Sequence, residues 1–325
     1  MSDIRIYDFE FKLLYVCNNY ISSNWSIFFN DIGTFEAHFS IDDNVAQVLF
    51  SNDYLVAVQD GKSAIITGKQ LVDDIAVYGR TPNWIFSKRI TLPFEEMSGN
   101  VEELTRNIIS TAYDGENVVG DGKVIVWGDS VYATEVVSLS RSDSKTTFEV
   151  LRDCLMKDSA GHRLTFEPLQ KRWVYTVIKG RTLPIVVSED NLNAHDTQYT
   201  SDCLDYFSGG WYQEEQPEDE NGNKPEPIWK RIEGDSAKTG LYRWDSLLSG
   251  KTETEAKDGL LLKTYNKKIA VQTHNLVWGR DYELGDTVLV KIIKGKLEFA
   301  AQKQIKGVNI WEEHTNSGEQ PIFEE

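Results

Sequence analysis

Trp278-Gly-Arg-Asp-Tyr-Glu-Leu-Gly-Asp-Thr-Val-Leu-Val-Lys-Ile-Ile293 is the stretch on which the reading of this chain turns. Leu284-Gly285-Asp286 sets a residue free to take positive φ before a carboxylate that can bond back to its own turn. The run after it, Thr287 to Ile293, is apolar and rich in β-branched residues, the composition of a strand. Lys294-Gly295-Lys296 then reverses the chain into a second strand. Alone, this is a hairpin entry. Two upstream stretches extend it: Gly33-Thr-Phe-Glu-Ala-His-Phe39, with strand-like alternation, and Val77-Tyr-Gly-Arg80.

Residues 1 to about 97 read mostly as strands: Ile4 to Asp8, Lys12 to Val16, Trp25 to Phe29, Thr34 to Ile41 and Leu71 to Val77. Tyr54 to Val58 and Ala64 to Thr67 flank Asp60-Gly61, a hairpin turn. Asp43 to Leu49 reads as a short helical connection, Gly79-Arg80-Thr81-Pro82 as a break, and Trp84 to Thr91 as a short helix running into a strand. Residues 98–185 change character. Asn100 and Glu103 stand at capping-box spacing ahead of a helix lined by Val101, Leu104, Ile108 and Ala112. Thr146 and Glu149 repeat that signal before Phe148, Leu151 and Leu155, with Gly161 as the expected stop. Strands are expected at 124–127, 134–137, 163–166 and 173–178, which makes this segment a compact α/β module. From 186 to 325 the pattern returns to strands. An acidic, Pro- and Gly-rich loop lies near 213–227, a helix is expected between Thr252 and Lys267 with Ala256, Leu260 and Tyr265 in register, and residues 313–325 are expected to fray. Val277-Trp-Gly-Arg280 echoes Val77-Tyr-Gly-Arg80, but four residues in different contexts make a coincidence, not a repeat.

Composition narrows the function. A chain of 325 residues with 40% hydrophobic content supports two or three real cores. The 9 Trp, 14 Tyr and 14 Phe suit strand packing first and sugar stacking second. A net charge of −17 opposes a counterion-displacing nucleic-acid surface and adsorption to anionic membranes. No apolar run reaches the length of a membrane span, so no membrane insertion is expected. Cys17, Cys154 and Cys203 are too scattered for a disulfide framework and read as reduced, buried thiols made in a cytoplasm.

Catalytic and metal signatures are missing. His38, His162, His195, His274 and His314 have no partner at zinc spacing, and no His-Glu-x-x-His or Cys cluster occurs. There is no nucleophile elbow and no phosphate-binding Gly loop. Asp42-Asp43, Asp73-Asp74, Glu95-Glu96, Glu102-Glu103 and Glu214-Glu215 are paired carboxylates, but such abundance carries no specificity, and a solvated acidic face explains each. Glu214 to Glu220 lacks the spacing of a calcium loop. Neither catalytic nor metal nor cofactor residues are assigned, and no cofactor is expected.

Taken in order, the quoted segments resemble a family. Gly33 to Phe39 is similar to a strand near the start of siphophage tail proteins of the ReqiPepy type, from phages and prophages of Gram-positive hosts. Gly68, Val77 to Arg80 and Arg89-Ile-Thr91 follow as a second segment. Val187 to Leu192 with Tyr199 to Asp205 is a third, and Asp281-Tyr-Glu-Leu-Gly-Asp-Thr-Val288 matches the family's Leu-Gly-Asp signature. The resemblance implies a mainly β, baseplate-hub-like fold, with two tube-like β-barrel domains (1–97 and 186–325) flanking the α/β module of 98–185. It implies a virion structural protein at the tail tip that closes the tail tube, with three chains forming a ring and the distal tail protein among its partners. DNA would pass the lumen without specific binding. Phage, prophage and bacteriocin-like particles share such hubs. Many relatives continue into peptidase or receptor-binding extensions. This chain ends soon after its last strand, so no enzymatic activity is expected of it. A carbohydrate- or cell-wall-binding tail module and a peptidoglycan hydrolase are the alternatives.

Overall fold

Strand Thr34–Phe39 buries Phe35, Ala37 and Phe39 and turns the residues between them outward. That two-residue period is repeated in Ser22–Phe28, where Ser23, Trp25 and Ile27 point inward. The two strands pair antiparallel, with Trp25 opposite Phe35 and their ring centroids 4.3 Å apart. A computed structural model describes residues 2–113, 115–129, 136–216, 225–234, 239–263, 266–313 and 316–324.

The protein is mainly β, and its chain divides into two compact units. The first comprises Met1–His195, Gln272–Ile293 and Ala300–Glu325; the second comprises Asp196–Val271 and Lys294–Phe299.

An eleven-stranded sheet dominates the first unit. Its path runs Thr182–Val187, Thr287–Lys294, Leu297–Glu313, Ser22–Phe28, Thr34–Phe39, Ile75–Arg80, Lys62–Leu71, Leu55–Gln59, Ile4–Asp8 and Leu13–Cys17. Asp60 and Gly61, with φ of 47° and 75°, close the hairpin in which Gln59 faces Lys62. The same unit carries helices Val101–Ala112 and Thr147–Met156 and a small sheet in which Arg172–Lys179 lies between Ile125–Trp127 and Ala160–Glu167. Asn100 Oδ1 accepts from the Glu103 N–H at 2.8 Å. The second cap is reciprocal: Thr146 Oγ1 accepts from the Glu149 N–H, and Glu149 Oε2 from the Thr146 N–H. Leu104, Ile108, Leu151, Leu155 and Tyr175 share one core with Tyr7, Val56, Ile65 and Phe86 from the large-sheet segment.

In the second unit, Gly209–Glu214 lies between Ile228–Glu233 and Asp245–Leu247. Helix Glu253–Leu261 covers one face, burying Ala256 and Leu260 against Tyr212, Ile232 and Leu248. The acidic segment joins two antiparallel strands, since Glu214 pairs with Ile228; its residues 217–224 fall outside the described set.

Several sequence expectations need correction. The expected strand from Leu71 to Val77 is two strands: Lys62–Leu71 ends at a turn and Ile75–Arg80 begins after it. Gly79 lies within the second strand and does not break it. A Cβ there would sit 2.9 Å from the Ile65 carbonyl oxygen, so this glycine allows close backbone approach. Gly161 does not stop the second helix, which ends at Met156; it belongs to strand Ala160–Glu167. The final residues do not fray. Asn316–Phe323 pairs antiparallel with Leu297–Glu313 and buries Pro321; residues 314, 315 and 325 lie outside the described set. Helix Glu253–Leu261 is shorter than expected, ending at Leu261, and Tyr265 lies outside the described residues. The expected strand at 134–137 appears as Val136–Arg141, with 134 and 135 not described. Among the described residues no helix is long and apolar enough to cross a membrane.

Candidate functional site

The Leu-Gly-Asp corner is held by several bonds and close contacts. Asp286 is 1% exposed and organises the turn that Gly285 makes possible. Its Oδ2 accepts from the Glu283 N–H at 2.9 Å, its Oδ1 from the Arg181 N–H at 2.7 Å, and the Arg181 guanidinium approaches Oδ2 at 3.4 Å. The Gly285 N–H donates to Ile305 O and the Ile305 N–H to Asp286 O, both at 2.8 Å. Strand Thr182–Val187, strand Thr287–Lys294 and the long strand Leu297–Glu313 are therefore pinned at one point.

Phe29 completes this corner. Gly285 takes φ of +92°, and a Cβ there would lie 2.5 Å from Phe29 Cζ. On the other side a Cβ at Gly161 would overlap the Phe29 carbonyl and ring. The Phe29 carbonyl accepts from the His162 N–H at 3.2 Å, and the Phe29 N–H donates to Lys306 O at 2.8 Å. One buried ring thus sits between the α/β module and the Leu-Gly-Asp turn, and two glycines make room for it. The sequence marked both glycines but not the aromatic residue that explains them.

The chemistry-bearing residues are placed in structural roles. His162 is fully buried among Phe86, Phe148 and Tyr175, and burial pushes its pKa down to about 3, so the ring is neutral. Neither of its ring nitrogens has a hydrogen-bond partner. His38 bridges two carboxylates: Nδ1 is 2.6 Å from Asp74 Oδ2 and Nε2 is 3.0 Å from Glu36 Oε1. Partial burial lowers its pKa, but the hydrogen bonds and charges of Glu36 and Asp74 outweigh that effect and raise it above the ordinary value. His195 and His274, distant in sequence, meet with Nδ1 atoms 3.2 Å apart. Among the described residues no three His, Cys, Asp or Glu side chains converge as a metal site; His314 lies outside that set.

Cys17 and Cys154 are buried, and desolvation raises both thiols to about 11. Cys203 is partly exposed. Several of the paired carboxylates have local partners. Asp43 accepts from Tyr15 Oη and the Val45 N–H, both at 2.8 Å. Asp74 holds His38, Glu102 pairs with Arg106, Glu214 with Lys230 at 2.7 Å and Glu215 with Lys251 at 2.6 Å. Glu95 and Glu96 lie exposed on strand Phe94–Asn100. A buried network missed by sequence reading joins distant parts of the first unit: Tyr20 Oη donates to Glu312 Oε2 at 2.5 Å, Gln59 Nε2 to Tyr20 Oη at 2.7 Å, and Trp25 Nε1 to Gln59 Oε1 at 2.6 Å.

Two surfaces remain. In the first unit a cleft of about 950 Å³ lies between helix Thr147–Met156 and the terminal strands, with Phe28, Met156 and Phe323 beside Asp31, Arg152 and Lys306. In the second unit the sheet face opposite helix Glu253–Leu261 carries exposed Trp211, Trp229 and Leu247.

This fold is found in tail proteins. The tail protein from Neisseria meningitidis MC58 shares it with a TM-score of 0.56 at 11% identity, over 100% of this chain and 97% of that one. Prophage tail protein gp18 from Listeria monocytogenes EGD-e matches with a TM-score of 0.56 at 14% identity, over 100% and 95%. The 43 kDa tail protein of prophage MuSo2 from Shewanella oneidensis matches with a TM-score of 0.57 at 11% identity, over 99% and 97%. The fold class is thus that of phage-type tail proteins. The sequence itself matches the Siphovirus ReqiPepy6 Gp37-like protein family over residues 3–209, and the chain belongs to that family of siphovirus tail proteins. No curated protein sequence matches the chain.

Proposed function

We propose that this protein is a structural hub of the tail tip, closing the end of the tail tube and joining it to distal tail components. The observation that carries this reading is family membership over residues 3–209 together with a fold shared over nearly the whole length of prophage tail proteins. In this reading residues 1–97 and 186–325 supply two tube-like β-barrel domains, and 98–185 is the module set between them. Three chains close into a ring, so that six barrels continue a sixfold tube. Cyclic closure satisfies every head-to-tail interface.

The terminal strand Leu13–Cys17 supports such an assembly. It ends the sheet path within the chain and leaves Leu13 and Val16 more than 40% exposed, an edge suited to cover by a neighbour. The mixed cleft beside Met156 and Phe323 suits a segment of a distal tail protein. The net charge of −17 suits a lumen that DNA crosses without sticking. In this reading the role is non-enzymatic, with His162 packed in a core and His38 held between two carboxylates. Electron microscopy of assembled tails tests the proposal. Three copies per tip, with the ring axis at least as acidic as the exterior, is the expected result. Six copies, one copy, or an axis lined by Lys and Arg would overturn it. Zymography on peptidoglycan should show no clearing.

A further inference from the structure

The outer face of the three-stranded sheet in the second unit has a chemistry that a structural role does not require. Register places its side chains. Trp211 stands opposite Arg231 on one neighbour and Leu247 on the other, while Gln213 stands opposite Trp229. Because paired residues share a face, Trp211, Gln213, Trp229, Arg231 and Leu247 point the same way. Tyr212 and Ile232 point to the opposite face, where the helix covers them. Trp211 and Trp229 are diagonal neighbours, 39% and 51% exposed, and Leu247 is 72% exposed.

The face is held in shape by polar bonds. Trp211 Nε1 donates to Asp245 Oδ2 at 3.1 Å, which fixes the indole plane. Asp245 also receives Arg231 at 3.1 Å and Arg243 at 2.5 Å, and hydrogen bonding to these guanidiniums holds its carboxyl down at about 2. Beside Trp229 lies a depression of about 250 Å³ whose other walls include Gln213, Ser249, Leu247 and the Glu215–Lys251 ion pair.

We infer that this face is a binding site for a neutral saccharide, with one sugar ring stacked on Trp229 and the next reaching Trp211. Indole rings offer a broad apolar face for the C–H side of a pyranose, and the amide, hydroxyl and ion pair around them supply donors and acceptors for its hydroxyls. Size argues against a protein partner. Two strands of six residues and one of three, about 4.8 Å apart, present roughly 240 Å², well short of the ~800 Å² per side of a standard protein interface. Charge argues against nucleic acid and anionic glycans. The acids beside the rings, Glu215, Glu233 and Asp245, are matched by Lys251, Arg231 and Arg243, so the face carries no net positive charge, whereas single strands are held by basic grooves. The inference does not depend on the hub assignment and describes a surface contact made in addition to assembly.

Calorimetric titration of the full chain with tri-N-acetylchitotriose and with maltotriose tests it, with trigalacturonate as the anionic control. The expected result is saturable binding of at least one neutral trisaccharide near the millimolar range, and none of trigalacturonate. Trp229→Ala should weaken binding about tenfold with an unchanged thermal melt, since the ring is half exposed. Gln213→Ala, which keeps the stacking ring but removes an orienting amide, should weaken it by a smaller factor. Absence of heat with both neutral sugars up to about 10 mM, equal binding of trigalacturonate, or undiminished binding by Trp229→Ala would each overturn the inference. So would loss of self-association or of tail incorporation in Trp229→Ala without any sugar binding by the wild-type chain, because the face would then be a protein contact.

Discussion

Gly285→Val isolates the Leu-Gly-Asp corner, and its cost can be worked from two separate contacts. The backbone there has φ of +92°, which only glycine adopts without strain. Forcing an L-residue into left-handed space costs about 1–2 kcal/mol. A Cβ would also meet the Phe29 ring, 2.5 Å from Cζ, and overpacking of that kind adds about 1–3 kcal/mol. The sum, roughly 2–5 kcal/mol, is a large part of an ordinary folding free energy. At about 2–4 °C per kcal/mol for a unit of this size, the melting temperature should fall on the order of 10 °C. Gly285→Ala should lie between wild type and valine. Phe29→Leu separates the two terms, because leucine lacks the Cε and Cζ atoms that the new side chain strikes. In that background Gly285→Ala should retain mainly the backbone cost, giving a coupling energy of about 1–2 kcal/mol in urea unfolding. An unchanged melting temperature for Gly285→Val would refute the conformational argument. Strict additivity of Phe29→Leu and Gly285→Ala would refute the packing argument while leaving the first intact.

Other perturbations follow from the same geometry. His38 has a folded-state pKa raised by Glu36 and Asp74, so its stabilising contribution is fully present below its unfolded pKa of about 6.5 and is lost as pH rises through the folded value. His38→Gln should therefore destabilise the protein more at pH 5 than at pH 9 in paired urea titrations; equal losses would show that the carboxylate clamp is energetically silent. Tyr20→Phe removes the hydroxyl shared by Gln59 and Glu312 and should cost about 1–3 kcal/mol, more than Tyr15→Phe at its more exposed bond to Asp43; the reverse order by thermal melt would contradict the network. A disulfide-exchange reagent should modify Cys203 first in the native protein and reach Cys17 and Cys154 only on unfolding, since both are buried with thiols raised to about 11. Rapid reaction of all three thiols would show that these cores open readily.

Local chemistry was legible wherever a residue's role is settled within a few positions. Thr146 and Glu149 announced the reciprocal cap they form, because a helix start leaves N–H groups that only nearby side chains can reach. Asp60-Gly61 announced its hairpin, and Asp286 bonds back across its turn as its position suggested. Glycines were harder. A glycine needed for a turn and one needed for a close approach look identical in sequence, so Gly79 and Gly161 have the look of punctuation although they lie inside strands. The C-terminal residues read as polar and loose because their partner, the long strand Leu297–Glu313, supplies the ladder that orders them.

By itself, the sequence determined the strand-rich character of this protein, its helix caps, its tight turns and the family to which it belongs, because these depend on period, capping and turn chemistry over short spans. Tertiary structure alone decided the order of strands in the large sheet, the seat of Phe29 between Gly161 and Gly285, and the network joining Tyr20, Gln59 and Glu312. It also decided that Trp211 and Trp229 share an exposed face. Each of these depends on which distant segments pair and in what register, and a shift of one residue in that register would turn every one of the side chains concerned to the opposite face.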